Sequence, residues 1–118
     1  MTFRDGLDEH LAAISARDID RFAATVSRAP YARVIAPDGG AIVGYDAIVD
    51  AHRGWFAGGS FTFEPRVLVE RANETLGFAL LDIAYTEGET KRFLLSVVFE
   101  RDDGVWKLFF DQNTPLPV

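Results

Sequence analysis

The sequence contains no cysteine, which excludes disulfides, thiol nucleophiles and thiolate metal sites together. Positive charge is scarce as well: 12 Lys and Arg stand against 18 Asp and Glu, for a net charge of -6. That sign repels phosphate backbones and no basic cluster interrupts it, so nucleic acid is not an expected partner. Long apolar runs are also missing. Phe78 to Leu81 is as long a strictly apolar stretch as the chain contains, far short of the ~20 residues a spanning helix needs, so no membrane partner is expected. The opening Met1-Thr2-Phe3-Arg4-Asp5 lacks the apolar stretch of a secretory signal, which makes the cytoplasm the expected location. Internal repeats, low-complexity tracts and interdomain linkers are absent, and 118 residues are expected to form a single domain, 1–118.

What the chain does have is core material. Hydrophobic residues make up 48% of it and ten are phenylalanine, enough to bury a core without covalent staples. Leu7, Leu11 and Ile14 recur at helical spacing behind the acids Asp5, Asp8 and Glu9, which favour a helix start. Asp18 is a cap for a second helix with Ile19, Phe22 and Val26 on its buried stripe. Arg28-Ala29-Pro30 ends helical structure. A strand is expected over Tyr31–Ala36, then a Pro37-Asp38-Gly39-Gly40 turn and a brief extended Ala41–Val43. Gly44 opens a third helix, Tyr45–Phe56, with Ile48, Ala51 and Trp55 on one face.

The second half reads as strands only: Phe61–Ala72, Thr75–Glu87, Thr90–Arg101 and Val105–Asn113. Their connections are short turns, which force antiparallel neighbours. Helices first and a meander after is the α+β pattern, with helices on one face of a curled sheet. These strands are apolar on both faces. Phe93, Leu95, Val97 and Phe99 alternate with Leu94 and Val98, and Phe109 alternates with Leu108 and Phe110. A sheet with one solvated face would alternate with polar residues. Helices cover one side only, so the other is expected to pack on a second copy of the chain as a homodimer.

In this order of elements the chain resembles the nuclear transport factor 2-like superfamily, in particular its SnoaL-like branch. The resemblance runs through the Arg17-Asp18 break, Ile42-Val43-Gly44-Tyr45-Asp46-Ala47-Ile48, the meander, Gly104-Val105-Trp106-Lys107 and Asp111-Gln112-Asn113-Thr114. It implies a cystatin-like cone: a curled antiparallel sheet and three N-terminal-half helices enclose one pocket, and the convex face dimerises. The scaffold hosts dehydratases, isomerases, hydroxylases, cyclases and pure binding domains, so activity has to come from the site.

Strand alternation puts Asp82 on a face with Leu76, Phe78 and Leu80, Ser96 with Leu94 and Val98, and Asp111 and Asn113 with Phe109. Similarity to the steroid delta-isomerases implies that these faces look into the pocket. Helical spacing and the same similarity turn His10 and His52 toward it. The expected catalytic set is therefore His52, Asp82 and His10, an imidazole exchanging a proton beside a carboxylate. Expected ligand contacts are Tyr31, Trp55, Arg92, Ser96, Phe109, Asp111 and Asn113. Asp82 among Leu and Phe needs a partner, either a histidine or Arg92 across the hairpin.

The isomerases' catalytic carboxylate would fall near Ala36, and their oxyanion-binding Tyr and Asp near His10 and Ser96, so steroid isomerisation by that mechanism is not expected. Ser96 has no Gly-x-Ser-x-Gly elbow around it. Gly39-Gly40 and Gly44 carry neither a phosphate-loop Lys nor a dinucleotide fingerprint. A metal would need a site assembled from His10, His52 and Asp82, and neither metal nor other cofactor is expected. The reading is a cofactor-independent dehydratase or isomerase acting on a small cyclic or carbonyl-bearing compound. The alternatives are a non-catalytic ligand-binding domain and an assembly domain whose cavity is filled by its own Phe63, Phe78 and Phe109.

Overall fold

In the computed structural model, which describes residues 1–117, Thr2 starts the first helix, α1 (Phe3–Ser15). The Thr2 hydroxyl accepts from the Asp5 N–H at 3.2 Å, and the Asp5 carboxylate accepts from the Thr2 N–H at 2.9 Å, a reciprocal capping box. Val118, the last residue of the expected domain, lies outside the described residues. Leu7, His10, Leu11 and Ile14 form the buried stripe of α1. Arg17, at φ 51°, turns the chain through a left-handed conformation into α2 (Ile19–Ala23), capped by Asp18 on the Arg21 N–H at 3.1 Å. The second helix ends before Val26, which the helical stripe had included. Val26 instead bridges to Leu108 in the sheet.

Strand β1 (Arg33–Ile35) is shorter than the expected Tyr31–Ala36, and β2 (Ala41–Val43) follows the turn as expected. Gly44 opens α3 (Tyr45–Ala57) at φ 93°, a conformation that any Cβ would strain. Four long strands complete the sheet: β3 (Thr62–Ala72), β4 (Leu76–Glu87), β5 (Glu89–Asp102) and β6 (Val105–Pro115). Their order is β2-β1-β6-β5-β4-β3. All neighbours are antiparallel except β1 and β6, which run parallel. Bulges fall between Val67 and Val69 on β3 and at Phe109 on β6, and bulges increase local bend and twist.

The helices cover the face carrying Gly77, Ala79, Leu81 and Ile83 of β4 and Leu95, Val97 and Phe99 of β5. Small residues make this possible. A Cβ on Gly77 would come within 2.3 Å of the Phe3 ring, and one on Gly6 within 2.6 Å of Trp106. The opposite face of β4 carries Leu76, Phe78, Leu80 and Asp82. This corrects the expectation that Asp82 and Ser96 face the pocket: both stand on the outer face, with Leu80 opposite Ser96 and Asp82 opposite Leu94. Both faces are apolar, so alternation alone sorted the residues into two sets without revealing which set the helices cover. Among the described residues no helix is long and apolar enough to cross a membrane.

Candidate functional site

A cavity of about 580 Å³ opens between α3 and the inner face of the sheet. Val34, Ile42, Trp55 and Phe93 give it apolar walls, and Lys91, Arg92 and Pro115 belong to its lining. It is not filled by the protein's own side chains, which runs against the filled-cavity alternative; Phe78 lies on the outer face, 38% exposed.

His52 reaches this cavity from α3. Its Nδ1–H donates to the Ile48 carbonyl one turn back, at 2.7 Å, which settles the neutral tautomer and leaves the lone pair on Nε2. The ring lies against Phe22, with centroids 4.1 Å apart and planes at 22°. Burial pushes the imidazole pKa down, and the Ile48 carbonyl opposes that only partly. At neutral pH His52 is therefore an uncharged base in an apolar wall.

Asn113 lines the same cavity from β6. Its side-chain amide donates to the Ile35 carbonyl and to Asp111 Oδ1, both at 2.9 Å. Asp111 sits next on the inward face, opposite Val97 and beside Val34. It is 6% exposed and among the described residues has no cationic partner. Burial pushes its pKa up to about 7, against the opposing pull of the Asn113 hydrogen bond. A carboxyl that holds its proton near neutrality thus stands directly behind Asn113.

The remaining expected residues lie elsewhere. Asp82 is ion-paired on the outer face with Arg92 and, at 3.2 Å, with Arg66. The Arg92 hydrogen bonds, with Arg66 adding to them, hold its carboxyl below the ordinary range. The Arg92 alternative raised from the sequence is the one realised, and Asp82 has no histidine partner. Arg92 reaches the cavity lining while its guanidinium serves Asp82. Ser96 faces outward with it. Tyr31, 49% exposed, donates to Glu100 at 2.5 Å and meets the Phe109 ring edge-on; neither ring lines the cavity. The β6 bulge explains Phe109, because an inserted residue breaks the count by twos from Asp111.

His10 is fully buried behind Phe22 rather than on the cavity wall. The Thr25 hydroxyl donates to the Phe22 carbonyl at 2.7 Å and so accepts from His10 Nδ1–H, also at 2.7 Å. Among the described residues its Nε2 has no partner, and burial, with His52 nearby, pushes the pKa down to about 3. His10, His52 and Asp82 do not converge, and among the described residues no group of three or more acids and histidines could hold a metal ion.

Sequence reasoning missed Tyr85, Phe93 and Lys91 in the lining. Tyr85 shares a face with Leu81 and Ile83, the set opposite to Asp82, and was passed over with that set. Its hydroxyl accepts from Trp55 Nε1 at 3.1 Å and donates to Glu87 at 2.5 Å. Burial, reinforced by Glu87, raises its pKa. Ala36, where the steroid isomerases' carboxylate was expected to fall, does line the cavity.

Residues 4–112 match the family profile of the SnoaL-like domain. No curated protein matches the chain. Among solved structures, a candidate calcium/calmodulin-dependent protein kinase type II association domain from Thiobacillus denitrificans is similar with a TM-score of 0.87 and 23% identity, over 98% of this chain and 96% of that one. A candidate dehydratase of the NTF2-like family from Streptomyces avermitilis has a TM-score of 0.84 and 11% identity, over 98% and 94%. A ketosteroid isomerase-like protein from Erwinia carotovora atroseptica has a TM-score of 0.75 and 15% identity, over 98% and 94%. At these identities the likeness is one of fold.

Proposed function

Because the chain belongs to the SnoaL-like domain family, we propose that its cone binds a small, largely apolar molecule and performs cofactor-independent acid–base chemistry on it. Elimination or isomerisation beside a carbonyl is the reaction class. His52 is the base: its ring belongs to the cavity lining, Nδ1–H is anchored to the helix backbone, and the free lone pair is therefore on Nε2. Asp111 takes an orienting role, accepting the Asn113 amide N–H from behind. The observation that carries this reading is the uncharged, ring-anchored imidazole in an otherwise apolar cavity wall. A cytoplasmic setting, in keeping with a chain free of cysteine, belongs to the same reading.

Site-resolved NMR titration tests it. His52 is expected to titrate below the ordinary ~6.5 and the Asp111 carboxyl carbon well above the ordinary ~3.9, toward about 7. Ordinary values for both would mean that the cone is wet and poises neither group, and the acid–base reading would fall.

The outer face supports a homodimer. Leu76, Phe78 and Val69 are exposed there at 46%, 38% and 46%, beside the half-buried Leu80, Leu94 and Val98. An apolar sheet face of this kind asks for a cover, and the likeness to an association domain agrees with one made by a second copy. Phe78→Glu is expected to turn a wild-type dimer into a monomer in sedimentation at micromolar concentration. A wild-type monomer, or a variant that still dimerises, would remove the proposal.

A further inference from the structure

The polar atoms of the cavity wall can be followed one by one. Apart from the cations Lys91 and Arg92, the lining carries polar side-chain atoms on His52, Trp55, Tyr85 and Asn113. Trp55 Nε1–H donates to the Tyr85 hydroxyl, and that hydroxyl donates to Glu87. The Asn113 amide gives one N–H to Ile35 and the other to Asp111. His52 Nδ1–H goes to Ile48. Each N–H and O–H of these four side chains is thus already donated inside the protein. The lone pairs of His52 Nε2 and Asn113 Oδ1 have no protein donor among the described residues.

The cations do not reverse this balance. The Arg92 guanidinium is turned to Asp82 on the outer face. Lys91, opposite Tyr85 at the cavity rim, is 73% exposed and loosely paired with Glu89 at 3.9 Å, so its ammonium need not be desolvated to keep its hydrogen bonds. Asp111 does not belong to the lining.

A wall of acceptors selects for hydrogen-bond donors. The geometry points to a ligand that brings its own hydrogen: an apolar ring or chain bearing a hydroxyl that donates to His52 Nε2 or Asn113 Oδ1. A ligand offering only a carbonyl would set lone pair against lone pair and leave desolvated acceptors unpaired. This narrows the substrate class of the proposed acid–base site and rests on that reading, since a hydroxyl held on His52 is placed where a base can act on it.

Three probes of like size separate the possibilities: 2-naphthol, its methyl ether and 2-tetralone. Binding to the 118-residue chain is followed by the ¹⁵N resonance of His52 Nε2 and by tryptophan fluorescence, to which Trp55 and Trp106 both contribute. Naphthol is expected to bind at least about 10-fold tighter than the other two and to move the Nε2 resonance upfield, as a lone pair does on accepting a hydrogen bond. His52→Phe should narrow that preference, and Asn113→Leu provides a second variant if the first folds poorly. Equal binding of the ether or the ketone would overturn the donor inference and leave the ligand-binding cone intact. Failure of all three to bind at millimolar concentration would overturn both.

Discussion

Asp111→Asn is expected to stabilise the fold at pH 8 by about 4 kcal/mol and to leave it nearly unchanged at pH 4. The folded-state pKa is raised to about 7 from an unfolded value of ~3.9. Between those values the folded protein holds a proton that the unfolded chain releases, so wild-type stability falls as pH rises through the window. Three units at about 1.4 kcal/mol each set the magnitude, and the melting point at pH 8 should rise on the order of ten degrees. Asn keeps an oxygen for the Asn113 amide and has no charge to bury.

His10 acts in the opposite direction. Its folded pKa lies at about 3, below the ~6.5 of the unfolded chain, so its contribution is present above ~6.5 and is lost as pH falls. From about pH 4 to 6.5 the two oppose each other, and the wild-type profile should be shallower than that of Asp111→Asn. Urea unfolding at pH 4, 6 and 8 reads both effects. Identical pH profiles for the two proteins would show that Asp111 ionises freely in the folded state. Profiles that differ as expected would mean that Asp111→Asn relieves a cost of folding, and orientation of Asn113 at the cavity is the role proposed for the carboxyl.

His52→Phe is expected to lower turnover by about 10²–10⁴-fold, the usual contribution of a positioned general base, with the far-ultraviolet circular dichroism unchanged. Phenylalanine can keep the ring stack on Phe22 but has no Nε2 lone pair. Asp82→Asn is the discriminating control. Its carboxylate lies on the outer face between Arg66 and Arg92, so this variant should retain turnover even where it costs stability. Loss of water from hydroxylated carbonyl compounds, followed by mass spectrometry, supplies the measurement. Full activity in His52→Phe, or its loss in Asp82→Asn alone, would return the chemistry to the other face of the sheet. No turnover by the wild type in a screen that finds tight binders would favour the non-catalytic binding domain.

The contrast between Asp82 and Asp111 shows where the sequence stopped being legible. Both are acids among apolar residues at the same strand period, and both had to be paired or shifted. Asp82 obtained two arginines, one of them foreseeable across the hairpin as Arg92. Asp111 obtained only an amide, because the inward face brings Asn113 and no cation to it. Phe109 was lost to a bulge and Tyr31 to an exposed contact with Glu100, and strand alternation encodes neither.

Local chemistry in the sequence determined the elements. The Asp18 cap, the Gly44 helix start, the short turns and the apolar period set three helices and an antiparallel meander whose strands are apolar on both faces. His52 was legible too, because helical spacing from Ile48 is a local property. Which face of the sheet the helices take was decided only by packing in three dimensions. Gly77 and Ala79 leave room for Phe3 and α1 on one side, and that choice carries Asn113 and Asp111 inward and Asp82 and Ser96 outward. Alternation separates the two faces of a strand but gives neither a sign, and the sign comes from complementary volume between residues far apart in the chain.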